Sequence, residues 1–116
     1  MKIERFEDII AWQKAKELTL IWYEVLKNGR DYSFRDQVLR ASVSIMNNIA
    51  EGFERKGDKE LRKFLFIAKG SSGEVRSMTY LALELEYINK NQFNSIYSLT
   101  LDISRMLSGF IKTLHD

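Results

Sequence analysis

Three cations stand one heptad apart in the middle of the chain, Arg62, Lys69 and Arg76. On a helix that spacing draws them into one stripe, and a stripe of cations can track the phosphates of a nucleic acid. Arg55, Lys56, Lys59 and Lys63 extend the basic character back toward the preceding turn. Glu51, Glu54, Asp58 and Glu60 are interspersed among them, so a solvated face of mixed charge is the competing reading. The nucleic-acid candidates are therefore Arg55, Lys56, Arg62, Lys63, Lys69 and Arg76.

The same stretch carries Phe66, Gly73, Tyr80 and Tyr87 at the same seven-residue interval, with Gly70 and Ser77 between them. These positions lie opposite the apolar seam, where a lone bundle helix would place charge. A glycine inside a helix costs about 1 kcal/mol relative to alanine, so two of them near mid-helix call for a physical use. Small residues allow another backbone to approach closely, and aromatics at the same azimuth mark a contact surface. The alternative is a kink at Gly70-Ser71-Ser72-Gly73. On the first reading Phe66, Gly70, Gly73, Ser77, Tyr80 and Tyr87 form an interface between subunits.

A third group is polar. Gln37, Arg40, Ser44, Asn48 and Glu51 flank one side of the second helical stretch. Antiparallel pairing through the Lys56-Gly57 turn brings Arg40 to the level of Glu74 and Glu51 to that of Arg62. Either this is a solvated face with weak surface pairs, or Gln37, Arg40, Asn48, Glu51 and Glu74 form a partly buried network that fixes helix register. Asn48 beside the apolar seam favours the network.

Catalytic constellations do not emerge. With no cysteine there is no thiol nucleophile, disulfide or thiolate metal site. The single histidine, His115, is a poor candidate for a base or ligand. No Glu-x-x-His pair, Walker loop or Gly-x-Gly-x-x-Gly fingerprint occurs, and an Arg-x4-His motif would need arginine where Phe110 stands. The expectation is a protein with no enzymatic activity, no cofactor and no metal.

The elements that must position these groups are helical throughout. Ala11, Ala15, Leu18, Trp22 and Val25 recur at steps of four and three, up to a stop at Asn28-Gly29, where glycine can close the helix in the left-handed conformation. Ser33 with Asp36 reads as an acidic capping box for a second helix along Phe34, Val38, Ala41, Ile45 and Ile49. Asp58 reads as the cap of a third helix, whose seam is Leu61, Phe64, Ala68, Ser71, Val75, Met78, Ala82 and Leu85. Asn89-Lys90-Asn91 interrupts before a fourth helix on Phe93, Ile96, Thr100, Ile103, Leu107, Phe110 and Leu114. No segment alternates with period two. Helices at about 7–27, 34–55, 59–88 and 92–114 with short connections predict an all-α fold, an antiparallel up-down-up-down four-helix bundle forming one domain over 1–116.

Hydrophobic residues at 45% and charged residues at 29% exclude wholesale disorder, and the absence of proline suits a helical chain. A net charge of +2 is compatible with nucleic acid without demanding it. No apolar run approaches the ~20 residues of a membrane span, and no cleavable signal is legible, so the expected location is the cytoplasm.

Several segments together resemble a known family. Ala11-Trp12-Gln13-Lys14-Ala15 follows Phe6, and Gln37-Val38-Leu39-Arg40-Ala41-Ser42-Val43-Ser44-Ile45 leads into Asn48-Ile49-Ala50-Glu51-Gly52. Phe64-Leu65-Phe66-Ile67-Ala68-Lys69-Gly70-Ser71 and Glu74 complete the series. The chain resembles the four-helix bundle proteins encoded by intervening sequences in bacterial 23S ribosomal RNA genes, also called S23 ribosomal protein. It is similar in fold to accessory variability determinant proteins of diversity-generating retroelements. The resemblance implies a bundle that assembles into a homopentameric ring or barrel, and it does not imply an enzyme. It further implies association with RNA or DNA, or with a separately encoded protein such as a reverse transcriptase.

Overall fold

Several helix ends are decided by one or two residues. Asp31 accepts a hydrogen bond from Phe34 N–H at 3.0 Å and starts one helix. Gly57, at φ 115°, makes the sharp turn into the next, a backbone angle costly for any residue with a Cβ. Asn89 and Gln92 form a reciprocal capping box, each side chain accepting from the other's backbone N–H at 2.8 Å. The computed structural model describes residues 2–115 and contains α1 (Ile10–Leu26), α2 (Tyr32–Glu54), α3 (Asp58–Glu84) and α4 (Lys90–Lys112), after a 3₁₀ turn at Phe6–Asp8. The described residues form no strand. Each helix packs against its two neighbours in the order α1-α2-α3-α4-α1, the antiparallel four-helix bundle, within 43 × 22 × 20 Å.

Several boundaries differ from those the sequence suggests. The cap of α2 is Asp31 rather than Ser33, because the carboxylate two residues earlier reaches the orphan N–H groups first. Gly29 does not close α1 in the left-handed region; its N–H donates to the Leu26 carbonyl at 3.0 Å in an ordinary turn. Asp58 is the first residue of α3, not its cap, and its carboxylate accepts from His115 N–H at 3.0 Å, tying the end of the chain to the start of α3. The largest shift is at the end of α3, which stops at Glu84 rather than near 88. Glu86 adopts φ 61°, and Tyr87 N–H returns to Ala82 O while Glu86 N–H returns to Leu83 O, a Schellman closure built without glycine. A non-glycine residue there costs ~1–2 kcal/mol, which is why no sequence signal announced it.

The core runs the length of the bundle through Leu18, Trp22, Val38, Ile45, Ile49, Leu65, Val75, Ile96, Ile103 and Leu107, all fully buried. On α3 the buried residues are Leu61, Leu65, Ala68, Ser72, Val75, Met78, Thr79 and Ala82, so the expected seam holds at Leu61, Ala68, Val75, Met78 and Ala82. The seam expected through Phe64, Ser71 and Leu85 is turned by part of a helical step, and Leu85 is exposed. Two hydroxyls thus occupy core positions that an apolar pattern assigns to their neighbours. α2 and α3 close most tightly near their shared turn. A Cβ on Gly52 would lie 2.7 Å from Phe64 Cβ and 3.2 Å from Leu61 Cδ1.

At the other end of the bundle, Tyr87 donates its phenol proton to Asp31 and packs edge-on against Phe34, with ring centroids 5.3 Å apart. This contact latches the α1–α2 connection to the α3–α4 connection. Donation from Tyr87 first, and from Phe34 N–H second, holds the Asp31 carboxyl below its ordinary range. The same bond raises the Tyr87 phenol.

Gly52→Ala meets a carbon fixed to the α3 backbone, so overpacking of ~1–3 kcal/mol outweighs the ~1 kcal/mol gain in helix propensity, and urea melts should show net destabilisation. Gly70→Ala has no atom within 4 Å of the new methyl, and the monomer fold should gain up to ~1 kcal/mol. The latch is intact between the two titrations. Asp31's contribution is present above its unfolded value near ~4 and is lost as pH falls through its lower folded value; Tyr87's is present below ~10 and is lost as pH rises through its higher folded value. Thermal melts of Tyr87→Phe should therefore lie below wild type at neutral pH and converge with it at both extremes.

Candidate interaction surface on the third helix

Adjacent serines at the middle of α3 point to opposite neighbours. Ser71 Oγ and Ser44 Oγ of α2 lie 2.9 Å apart, and Asn48 Nδ2 donates to both the carbonyl (2.8 Å) and the hydroxyl (3.0 Å) of Ser44. Because Asn48 supplies the proton to Ser44 Oγ, the Ser44 hydroxyl is free to donate onward to Ser71. On the other side, Arg76 Nη1 donates to Ser104 Oγ at 3.2 Å, Ser104 Oγ to Ser72 Oγ at 3.0 Å, and Ser72 Oγ to the Thr100 carbonyl at 3.1 Å. A guanidinium can only donate, so it sets the direction of this chain. The two chains hold α3 at one rotation about its axis, and that rotation decides what its outer side presents.

The outer side has two flanks. Residues 62, 66, 69, 73, 76 and 80 recur at steps of four and three along α4. Arg76 reaches Ser104, and Tyr80 packs on Phe93 and Tyr97 with centroids 5.3 and 5.5 Å apart. Hydrogen bonding with Tyr97, and burial after it, raise the Tyr80 phenol above its ordinary value. Arg62, Phe66 and Lys69 border a shallow groove of about 350 Å³ with Ser108 and Lys112 of α4. Residues 64, 67, 71, 74, 81 and 85 follow α2, where Phe64 meets Gly52 and Ser71 meets Ser44, while Met78 in the same row is buried. This flank exposes Ile67, Leu81 and Leu85. Gly70 and Ser77 lie on the crest between the flanks.

The structure sorts the residues singled out by sequence. Phe66 and Tyr80 are half-exposed, and Gly70 and Gly73 have open space where a side chain would be. The helix runs unbroken through Gly70–Gly73. Tyr87 is not on this face: α3 has ended before it, and it serves the latch instead. Arg62, Lys69 and Arg76 line the α4 flank, and Lys112, which sequence spacing missed because it belongs to another helix, joins them. Arg62 also lies over the Phe66 ring, 5.6 Å from its centroid. Arg55 is committed elsewhere, to Glu51 at 2.8 Å and Glu60 at 3.3 Å, above the Phe64 ring. Lys56 and Lys63 are exposed near the turn.

The polar network exists with different members. Of Gln37, Arg40, Asn48, Glu51 and Glu74, only Asn48 enters it; the others are exposed. Arg40 and Glu74 are both exposed and form no ion pair with each other; the contact between α2 and α3 at this level is made by Ser44 and Ser71. Glu51 is taken by Arg55 rather than by Arg62. Serine hydroxyls carry the pairing that charges were expected to carry.

Among the described residues no group of three or more His, Cys, Asp or Glu side chains could hold a metal, and no helix is long and apolar enough to cross a membrane. These features define a small helical-bundle protein whose candidate site is a helix face rather than a cleft. A family model described as 23S rRNA-intervening sequence protein matches residues 7–109. The chain belongs to that family. Among solved structures it is similar to a protein of unknown function from the S23 ribosomal protein family of Bacteroides thetaiotaomicron. That likeness has a TM-score of 0.81 and 25% identity, covering 88% of this chain and 98% of the other. No curated protein matches the sequence.

Ser72 is the joint of the α3–α4 chain. Ser72→Ala breaks one buried and one partly buried hydrogen bond and should lower stability by about 1–2 kcal/mol in denaturant titrations. Thr79 donates only to the Val75 carbonyl of its own helix, at 2.7 Å, so Thr79→Val leaves no orphaned partner and should stay within about 0.5 kcal/mol of wild type. Equal effects of the two changes would remove the interhelical chain as the source of the difference.

Proposed function

We propose that the protein is a non-enzymatic, self-associating helical bundle that works in the cytoplasm in association with RNA. The outer face of α3 carries this reading. On its crest and α2 flank, Ile67, Leu81 and Leu85 are 44%, 48% and 45% exposed, beside glycines that leave room for another backbone. A monomeric bundle would place charge there, and Glu74 is the one acidic residue between Phe64 and Leu83. Burying what remains exposed of each aliphatic side chain is worth roughly 1 kcal/mol, so several per subunit can offset the cost of association. The family resemblance supports a pentamer. The α4 flank is basic, which supports RNA as the second partner and leaves the α2 flank for assembly.

Sedimentation tests the assembly. The wild type should form an oligomer at micromolar concentration. Gly70→Glu combined with Leu81→Glu should shift it toward monomer with the helical circular dichroism unchanged, since both positions face away from the core. A monomeric wild type defeats self-association and leaves this face to a separately encoded protein. An oligomer untouched by the double variant relocates the interface.

A further inference from the structure

We propose that the α4 flank of α3 is a platform for single-stranded RNA, with Phe66 and Tyr80 stacking unpaired bases while Arg62, Lys69, Arg76 and Lys112 hold phosphates. It rests on the RNA reading above and narrows it to one class of RNA.

Along this flank the residues run Arg62, Phe66, Lys69, Gly73, Arg76, Tyr80, so cations alternate with rings and one glycine. The cations recur every ~10 Å and the two rings stand about 21 Å apart along the axis. Phe66 is 49% exposed and Tyr80 52% exposed, with nothing within 4 Å of the position a Gly73 side chain would take between them. The row is therefore open from one ring to the other. Among the described residues, the side chains that line the two grooves meeting at Phe66 include Lys59, Arg62, Lys63, Lys69 and Lys112 and no carboxylate.

Tyr80 and Arg76 are also braced. Tyr80 is packed edge-on against Phe93 and Tyr97, which themselves stack at 5.4 Å, so an aromatic wall rises behind it. Arg76 is anchored through Ser104 and Ser72 to the α4 backbone. A preorganised cation and ring spend less entropy on capture than free surface side chains do. Duplex RNA can use the cations, but its bases are already stacked and paired and offer nothing to Phe66 or Tyr80. A single strand can use both. Interleaved rings and cations therefore favour the single strand.

Fluorescence anisotropy on the intact protein, with a labelled oligouridylate and an RNA hairpin duplex of equal length as probes, tests this. Oligouridylate should bind roughly tenfold more tightly than the duplex at low salt. Phe66→Leu and Tyr80→Leu should each weaken oligouridylate binding by about tenfold and leave duplex binding nearly unchanged, whereas Phe66→Tyr and Tyr80→Phe, which keep a ring, should preserve both. Lys69→Gln should weaken both probes and lower the salt slope for the single strand by about 0.7. Equal binding of the two probes, or leucine variants that bind oligouridylate like the wild type, would overturn the platform and leave RNA association standing. Binding of neither probe at low salt would overturn both. Circular dichroism of each variant separates a lost ring from a lost fold, and the ring-keeping pair remains decisive if a leucine variant unfolds.

Discussion

The rotation of α3 about its own axis is the constraint on which the rest of the surface depends. Two neighbouring residues set it, Ser71 toward α2 and Ser72 toward α4, about 100° apart around the helix. A bundle held only by aliphatic contacts tolerates small rotations, because dispersion and burial are not directional. Hydroxyl pairs at 2.9 to 3.1 Å are less forgiving: each is weak as a net contribution, yet a buried hydroxyl turned away from its partner loses its full solvation. The serines therefore specify one arrangement more than they strengthen it. With α3 fixed, Arg62, Lys69 and Arg76 must border α4, and Ile67, Leu81 and Leu85 must border α2.

Depth works alongside rotation. Gly52 lets α3 come close enough near the turn for Phe64 and Leu61 to fill the space a side chain would take. The same approach brings Arg55 over Phe64 and between Glu51 and Glu60. These pairs are exposed and of small worth to stability, but they remove Arg55 from the free basic surface. What remains available for an anion is shifted away from the turn, along the groove toward α4, where Lys112 adds a charge from a second helix.

The two ends of the bundle differ. At the end holding the α2–α3 turn, Asp58 receives the His115 N–H and cations crowd the surface. At the other end Asp31 performs two tasks with one carboxylate, capping α2 through Phe34 N–H and receiving the Tyr87 phenol. The left-handed Glu86 makes the second task possible, because it turns the chain back at once and delivers Tyr87 over Phe34. Local strain at one residue is thus exchanged for a contact between two connections that are far apart in sequence.

Much of this was legible in the residues. Four helices, their antiparallel order, the buried faces of α2 and α4, the break at Asn89-Lys90-Asn91 and the turn at Gly57 follow from apolar spacing and from side chains that act within one helical turn. Asn48 showed itself as a polar residue beside an apolar seam, and the row of cations, rings and glycines on α3 showed itself by its interval. Those signals are local, and a helix with a 3.6-residue repeat obeys them wherever it is placed. Tertiary structure alone decided which stripe of α3 turns inward. Phe64, Ser71 and Leu85 continue the spacing of the seam, yet Leu65, Ser72 and Thr79 are buried in their place, because Ser72 donates to Thr100 and accepts from Ser104 on α4 and Thr79 donates within its own helix. It also withdrew Tyr87 from the outer face, separated Arg40 from Glu74 and added Lys112 to the basic groove. Each of these outcomes depends on partners from another helix or connection. A one-dimensional pattern carries the period of a helix but not the angle at which its neighbours meet it.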